Sequence, residues 1–111
     1  MEFQSIKEAQ QFNEERFTKI DMIKNRISVA FVLNFLPGQV MRPHNHPNRE
    51  LFLHVLNGSG TFSIDGKNVE VTEGDVIYCD PEEQIGFTNS GEKKVSIYGT
   101  MTKLQDSNIK A

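Results

Sequence analysis

The sequence predicts an all-β fold, either a closed barrel or a jelly roll built from two sheets. Short runs rich in β-branched and aromatic residues recur along the chain, and turn-forming residues separate them. Only one short segment near the N-terminus has a helical pattern. The chain has 111 residues and no linker-like stretch, so we expect a single domain.

The first 26 residues are predicted to form an N-terminal extension with a short helical turn and an edge strand. Ser5 and Glu8 have the spacing of a capping box, which favours one or two helical turns over residues 5–12. A frayed surface turn is the alternative. From Arg16 to Ile23, apolar residues alternate loosely with polar ones, which is typical of a strand.

The next segments are predicted to be the long strands of the domain. Residues 27–36 (ISVAFVLNFL) are nearly all apolar, which indicates a strand covered on both faces. Pro37 and Gly38 suit the central positions of a type II turn, because proline fixes φ and glycine accepts a positive φ. Strands are then predicted at residues 40–46 and 50–57.

The second half of the sequence repeats short strands and tight turns. Asp65-Gly66 is its best hairpin signal, between strands predicted at residues 61–64 and 67–71. Further strands are predicted at residues 76–79, 85–89 and 95–101. We therefore expect a barrel over residues 27–103 and a loose tail over residues 104–111.

Composition and charge argue against several classes of function. The formal net charge is −3, from 12 Lys and Arg and 15 Asp and Glu with no block of one sign, which disfavours a nucleic-acid partner. No apolar run approaches the ~20 residues of a membrane span, and the polar N-terminus is unlike a signal peptide. Cys79 is the only cysteine, so we expect a reducing, cytoplasmic setting without an internal disulfide.

The strongest candidate site lies between Gly38 and Gly58. His44 and His46 are two positions apart in a predicted strand, so both side chains should leave the same face about 7 Å apart at the backbone. Two imidazoles at that separation can converge on one metal ion or one anionic ligand. Glu50 would complete a two-histidine, one-carboxylate set of the kind that holds iron(II) or similar divalent ions.

This segment resembles the first motif of the cupin superfamily. That motif runs glycine, five residues, His-x-His, three or four residues, glutamate, six residues and glycine. The residues that fit it are Gly38, His44, His46 and Gly58. The resemblance covers roughly residues 27–101, and it implies a cupin-type jelly-roll β-barrel, also described as a double-stranded β-helix.

The second cupin motif is present only in part, over residues 74–89 (GDVIYCDPEEQIGFTN). Gly74 and Asn89 fit its two ends. The family histidine falls at Ile85, which cannot coordinate a metal, while proline is displaced to Pro81 and Glu82 replaces a glycine. The resemblance therefore implies a degenerate divalent-metal site that lacks its usual fourth ligand.

The position of the acidic ligand is open in the sequence. Counting forward from His46 leads to Glu50, whereas counting back from Gly58 leads to Leu51. A slip of one residue reverses every side chain on a strand, so the two cannot both face inward without a bulge. The gap-free count favours Leu51, because burying a row of apolar side chains costs less than burying an acid with incomplete ligation.

Four functional interpretations remain. We favour a pocket that binds a small polar or aromatic ligand beside a weakly held Zn²⁺, Ni²⁺, Fe²⁺, Mn²⁺ or Cu²⁺ ion at His44, His46 and Glu50. The cupin resemblance also permits a metal-dependent enzyme of the oxygenase, isomerase or decarboxylase type. Another interpretation is that the histidines line a pocket without metal, which holds an organic ligand or only water. The last is a structural or assembly role, with a dimer face at residues 27–36 or at Phe52 and Leu56. In every case we expect a homodimer, because a short barrel leaves edge strands unprotected.

Overall fold

The computed structural model describes residues 1–104 of the chain. The predicted tail therefore lies outside the described residues, apart from Leu104. In chain order the elements are a 3-10 turn (Ile6–Ala9), β1 (Thr18–Lys24), β2 (Ser28–Phe35), β3 (Val40–His44), β4 (Arg49–Asn57), β5 (Ser59–Ile64), β6 (Lys67–Thr72), β7 (Val76–Cys79), β8 (Ile85–Thr88) and β9 (Val95–Lys103). No helix within the described part of the chain is long and apolar enough to cross a membrane.

The strands form two antiparallel sheets, which confirms the predicted all-β jelly roll. One sheet has the order β1-β2-β9-β4-β7 and the other the order β3-β8-β5-β6. Chain neighbours are often not sheet neighbours, since β9 lies between β2 and β4. This long-range pairing brings both ends of the sequence into one sheet. The apolar faces of the two sheets turn toward each other and form a single core.

A cluster of buried aromatic rings lies at one end of the barrel, where β2 ends and β9 begins. Phe35, Phe62 and Phe87 are almost completely buried there. The ring centroid of Phe87 lies 4.7 Å from that of Phe35 and 4.8 Å from that of Phe62. Such tilted aromatic pairs add to the stabilisation from buried area. We call this the closed end. The open end is the opposite one, where β4 begins and β9 ends.

The predicted turns are present with the backbone angles that their residues favour. Gly38 has φ +85°, and the Gln39 N–H donates to the Leu36 carbonyl over 3.1 Å, which closes the turn before β3. Asp65 and Gly66 both have positive φ, of 50° and 82°, as a two-residue type I′ hairpin requires. The hairpin between β5 and β6 is therefore confirmed.

Two local predictions differ from the structure. The strand predicted through His46 ends at His44, and its register with β8 shifts between Met41 and His44. Pro43 lies within this irregularity and has no N–H to donate to a neighbouring strand. Near the N-terminus the predicted helical turn is present as a single 3-10 turn, but the predicted capping box is not formed, because the Ser5 side chain makes no capping hydrogen bond.

Candidate functional site

A cavity of about 130 Å³ lies between the two sheets at the open end of the barrel. Its walls come from strands that are distant in sequence: β1, β2, β3, β4 and β9. The lining residues are Phe17, Lys19, Phe31, Leu33, Met41, His44, His46, Leu51, Leu53 and Met101. Only three of these side chains are polar, so the cavity has apolar walls with few polar groups, as small-molecule sites commonly do.

The two histidines lie together on this cavity, although His46 is not on a strand. His44 is the last residue of β3, and its ring centroid is 4.6 Å from that of His46 in an edge-to-face arrangement. The loop that positions His46 is a tight turn closed by the Arg49 N–H, which donates to the His46 carbonyl over 3.1 Å. Asn48 has a positive φ of 66° in this turn, and its carbonyl accepts from the Leu104 N–H over 2.9 Å.

His44 is oriented by a hydrogen bond to its own strand. Its Nδ1 atom lies 2.8 Å from the Arg42 carbonyl oxygen. A carbonyl oxygen can only accept, so Nδ1 must donate, and in the neutral ring the lone pair is then on Nε2. Metal-binding histidines commonly have one ring nitrogen fixed in this way, which leaves the other free for a ligand.

His46 has a different electrostatic environment, because it is half-buried and lies near the cations Arg49 and Lys19. Burial lowers its pKa from the usual 6.5, and the nearby His44, Arg49 and Lys19 lower it further, because a positive charge on His46 beside these groups is unfavourable. The neutral imidazole is therefore the main form of His46 at pH 7. A neutral ring can accept a hydrogen bond or bind a metal ion without first losing a proton.

Glu50 does not join the two histidines in the structure. Leu51 and Leu53 line the cavity, and the ladder from Glu50 to Val55 has no bulge that could turn both Glu50 and Leu51 inward. Glu50 instead lies on the outer face of the sheet, where its Oε2 accepts from the Tyr78 hydroxyl over 3.1 Å. Of the two arrangements left open by the sequence, the structure adopts the one with Leu51 inward.

The position of the missing family histidine is filled by the core. Ile85 is completely buried, and it is in register with His44 across the β3–β8 pair. Among residues 1–104, no group of three or more His, Cys, Asp or Glu side chains lies close enough to hold a metal ion. Protein side chains in this range therefore offer two imidazoles, and any further ligands of an ion there would have to be water or an organic molecule.

Sequence reasoning missed the contribution of β1 to this cavity. Phe17 stacks on Phe35 with ring centroids 4.9 Å apart, and Lys19 lies with its Nζ 4.6 Å from the centre of the Phe31 ring. Lys19 also makes an ion pair of 2.6 Å with Asp21. The alternation of residues 17, 19 and 21 could have indicated a common face, but nothing local shows that this face turns toward the core.

Comparison with known proteins gives one family and a set of distant relatives. The family model described as cupin domain matches residues 31–101. The dimethylsulfoniopropionate lyase DddW of Ruegeria pomeroyi is 34% identical over 74 residues, which cover 67% of this chain and 48% of that protein. The oxalate-binding protein of Thermotoga maritima is 27% identical over 71 residues, which cover 64% of this chain and 59% of that protein. The chain thus spans only part of each relative's length.

Solved structures show the same fold over most of the chain. The TT1209 protein of Thermus thermophilus superposes with a TM-score of 0.87 at 17% identity, over 95% of this chain and 100% of that one. An RmlC-like cupin protein from Desulfovibrio desulfuricans gives a TM-score of 0.78 at 25% identity, over 92% and 96% of the two chains. These similarities show a shared fold.

Proposed function

The chain belongs to the cupin family, and on that premise we propose that it binds a small polar or aromatic molecule at the open end, beside a divalent metal ion at His44 and His46. The observation that supports this most directly is the apolar cavity with two imidazole rings 4.6 Å apart on its wall. The apolar walls would contact the apolar part of a ligand. The imidazoles would bind its polar group or the metal ion.

The size of the cavity limits the ligand to a small molecule. Its volume is about 130 Å³. An apolar cavity of about 150 Å³ is large enough to bind benzene, so a single ring or a short chain is the appropriate scale. Burial of such a group against Phe31, Leu51 and Leu53 would provide the hydrophobic part of the binding energy.

We propose weak binding of the metal, because two imidazoles leave most coordination positions to water or ligand. Imidazole suits Zn²⁺, Ni²⁺ and Cu²⁺ best among the ions considered, with Fe²⁺ and Mn²⁺ held less strongly. When bound, the ion would act as a Lewis acid toward a ligand oxygen. Glu50 is left out of the proposed ligand set, because it lies on the outer face beside Tyr78.

The two named relatives support a small organic acid as the ligand. One name refers to oxalate and the other to dimethylsulfoniopropionate, and both compounds contain carboxylate groups. A carboxylate could bind the metal ion or accept hydrogen bonds from the imidazoles. The lyase name also favours a second candidate, a metal-dependent enzyme acting on such an acid, which would use the same histidines.

Titration calorimetry on metal-free protein tests the proposal. We expect Ni²⁺ or Zn²⁺ to bind with one ion per chain, and benzoate to bind more tightly when the metal is present. His44→Ala and His46→Ala should each abolish metal binding, while His54→Ala, an exposed histidine on the outer face, should leave it unchanged. Metal binding that survives both cavity substitutions, or benzoate that does not bind with or without metal, would contradict the proposal.

We also propose a homodimer that forms through the outer face of β4 and β7, in a cytoplasmic protein with its single thiol reduced. Phe52 and Tyr78 are 49% and 48% exposed with ring centroids 5.0 Å apart, and Val76 is 62% exposed beside them. Apolar side chains on an edge strand such as β7 favour association. Light scattering should give a dimer for the natural chain and a monomer for Phe52→Glu. A monomer for the natural chain at tens of micromolar would contradict this proposal.

A further inference from the structure

A second depression, which we call the basic groove, adjoins the cavity at the open end of the barrel. It has a volume of about 400 Å³, and both it and the cavity are lined by Lys19 and Met101. The charged residues that line the basic groove are Lys19, Asp21, Lys24, Arg26, Arg49 and Lys103. They come from β1, the turn after it, and the adjoining ends of β4 and β9. The two depressions therefore share the side chains of Lys19 and Met101 as part of their walls.

The charge of this groove is opposite to that of the whole chain. Five of the 12 Lys and Arg residues line it, but only one of the 15 Asp and Glu residues does so. The chain as a whole has a formal net charge of −3. A random distribution of charges would place more acidic than basic groups in a groove of this size. The segregation indicates attraction for a negatively charged molecule.

Two of the groove cations are also direct neighbours on adjacent strands. Arg49 and Lys103 are cross-strand partners in the β4–β9 ladder. Like charges directly opposite each other on neighbouring strands destabilise a sheet. Among residues 1–104, Lys19 is the one groove cation with an ion-pair partner, namely Asp21. An anion lying between Arg49 and Lys103 would relieve their repulsion.

We propose that the basic groove binds the charged groups of a small organic dianion, a dicarboxylate or a phosphate monoester, whose apolar body occupies the histidine cavity. This inference deepens the proposed function and rests on it, because the cavity must accept the body of the same ligand. Arg49 and Lys103 would donate hydrogen bonds to the anionic oxygens, and charge-assisted bonds of this kind are among the strongest available to a ligand. Lys19, at the junction, would contact the charged group nearest the ring.

Calorimetry with three probes that share one ring tests this inference: benzoate with one negative charge, and phthalate and phenyl phosphate with two. At low ionic strength we expect at least one of the dianions to bind about tenfold more tightly than benzoate. The double variant Arg49→Gln/Lys103→Gln should remove this preference, so that benzoate and the two dianions bind it with similar affinity. The control Lys67→Gln/Lys93→Gln makes the same change in net charge at exposed positions outside the groove and should keep the preference.

The pattern of affinities separates the two proposals. Dianions that bind no more tightly than benzoate, or a preference that persists in Arg49→Gln/Lys103→Gln, would overturn the basic-groove inference while leaving the cavity proposal intact. Failure of benzoate to bind, together with dianion binding that depends on Arg49 and Lys103, would overturn the cavity proposal and the placement of the ligand's apolar body there, and would leave the basic groove as an anion site by itself. No binding of any probe would overturn both. The stronger of the two dianions would identify the charged group as carboxylate or phosphate.

Discussion

The two ends of the barrel differ in how completely their side chains fill the interior. At the closed end, Phe35, Phe62 and Phe87 pack against each other, and Asn89 is buried with its amide group hydrogen-bonded. At the open end the sheets leave a cavity of about 130 Å³ with His44 and His46 on its wall. The cations that face the basic groove are at this end as well.

This difference indicates that one end of the barrel mainly stabilises the fold and that the other end is available for binding. We expect the buried side chains at the closed end to contribute more to the free energy of unfolding than those at the open end, because cavities and unpaired polar groups are costly in a core. At the open end, part of the interior is a cavity instead of packed side chains, so this end can accept a ligand. Substitutions at the closed end should therefore change stability, whereas substitutions at the open end should change binding with smaller effects on stability.

The largest expected effect is loss of stability from a substitution at the closed end. Phe87→Ala removes a ring that contacts both Phe35 and Phe62, and large-to-small core changes of this kind cost about 3–5 kcal/mol. Urea unfolding followed by circular dichroism would measure the change. A loss below about 1 kcal/mol would show that the closed end is not the stabilising part of the core.

A smaller loss of stability is expected from Asn89→Ala. The Asn89 Nδ2 atom donates to the Phe35 carbonyl over 3.0 Å and to the Lys93 carbonyl over 2.8 Å, and its Oδ1 accepts from the Gly91 N–H. Buried polar groups left without partners should cost about 1–3 kcal/mol in the same unfolding assay. Asn68→Ala, at an exposed position of β6, is the control and should change stability little. Equal losses in the two variants would contradict this role of Asn89.

At the open end, Leu51→Phe should change binding more than stability. The larger side chain would extend into the cavity, so we expect at least about tenfold weaker binding of benzoate, equivalent to about 1.4 kcal/mol. The loss of stability should be small, because the new ring would occupy the cavity instead of displacing packed side chains. Val40→Phe, which adds the same ring at an exposed position of β3, should leave benzoate affinity unchanged. Unaltered affinity in Leu51→Phe would show that the ligand binds elsewhere.

The smallest expected effect is a pH dependence of stability due to His46. Its pKa is lowered in the folded protein by burial and by the charges of His44, Arg49 and Lys19, so the unfolded chain binds more protons as the pH falls. The contribution of His46 is thus complete above the unfolded pKa near 6.5 and is lost as the pH falls through the folded pKa. His46→Gln should flatten the fall in stability below that pH. If the free energy of unfolding depended on pH equally in the natural chain and in His46→Gln, the result would contradict the lowered pKa assigned to His46.

Local sequence signals predicted the turns and the histidine pair, because their geometry depends on a few neighbouring residues. Gly38 and Asp65-Gly66 determine their turns through the backbone angles that they accept. The proximity of His44 and His46 was also predicted, although a strand alone does not produce it. His46 is positioned by a proline-containing turn that follows β3.

Features that depend on long-range pairing could not be predicted from local patterns. Lys19 reaches the cavity because β1 pairs with β2 in a register that places it opposite Leu33. The basic groove combines residues 19, 49 and 103, which only the order of strands in the sheet brings together. The orientation of Glu50 was open for the same reason, since two counts along the sequence differed by one residue and only the β4–β9 register decides between them.

The most direct test of the account is an NMR titration of the ¹⁵N-labelled protein with benzoate in the presence of Zn²⁺. Amide shifts should be largest at His44, His46, Leu51 and Met101, which surround the cavity, and negligible at Phe87 and Asn89. Shifts confined to the closed end or to the outer face at Phe52, or the absence of any shift at saturating ligand, would contradict the claim that the open end is the binding site.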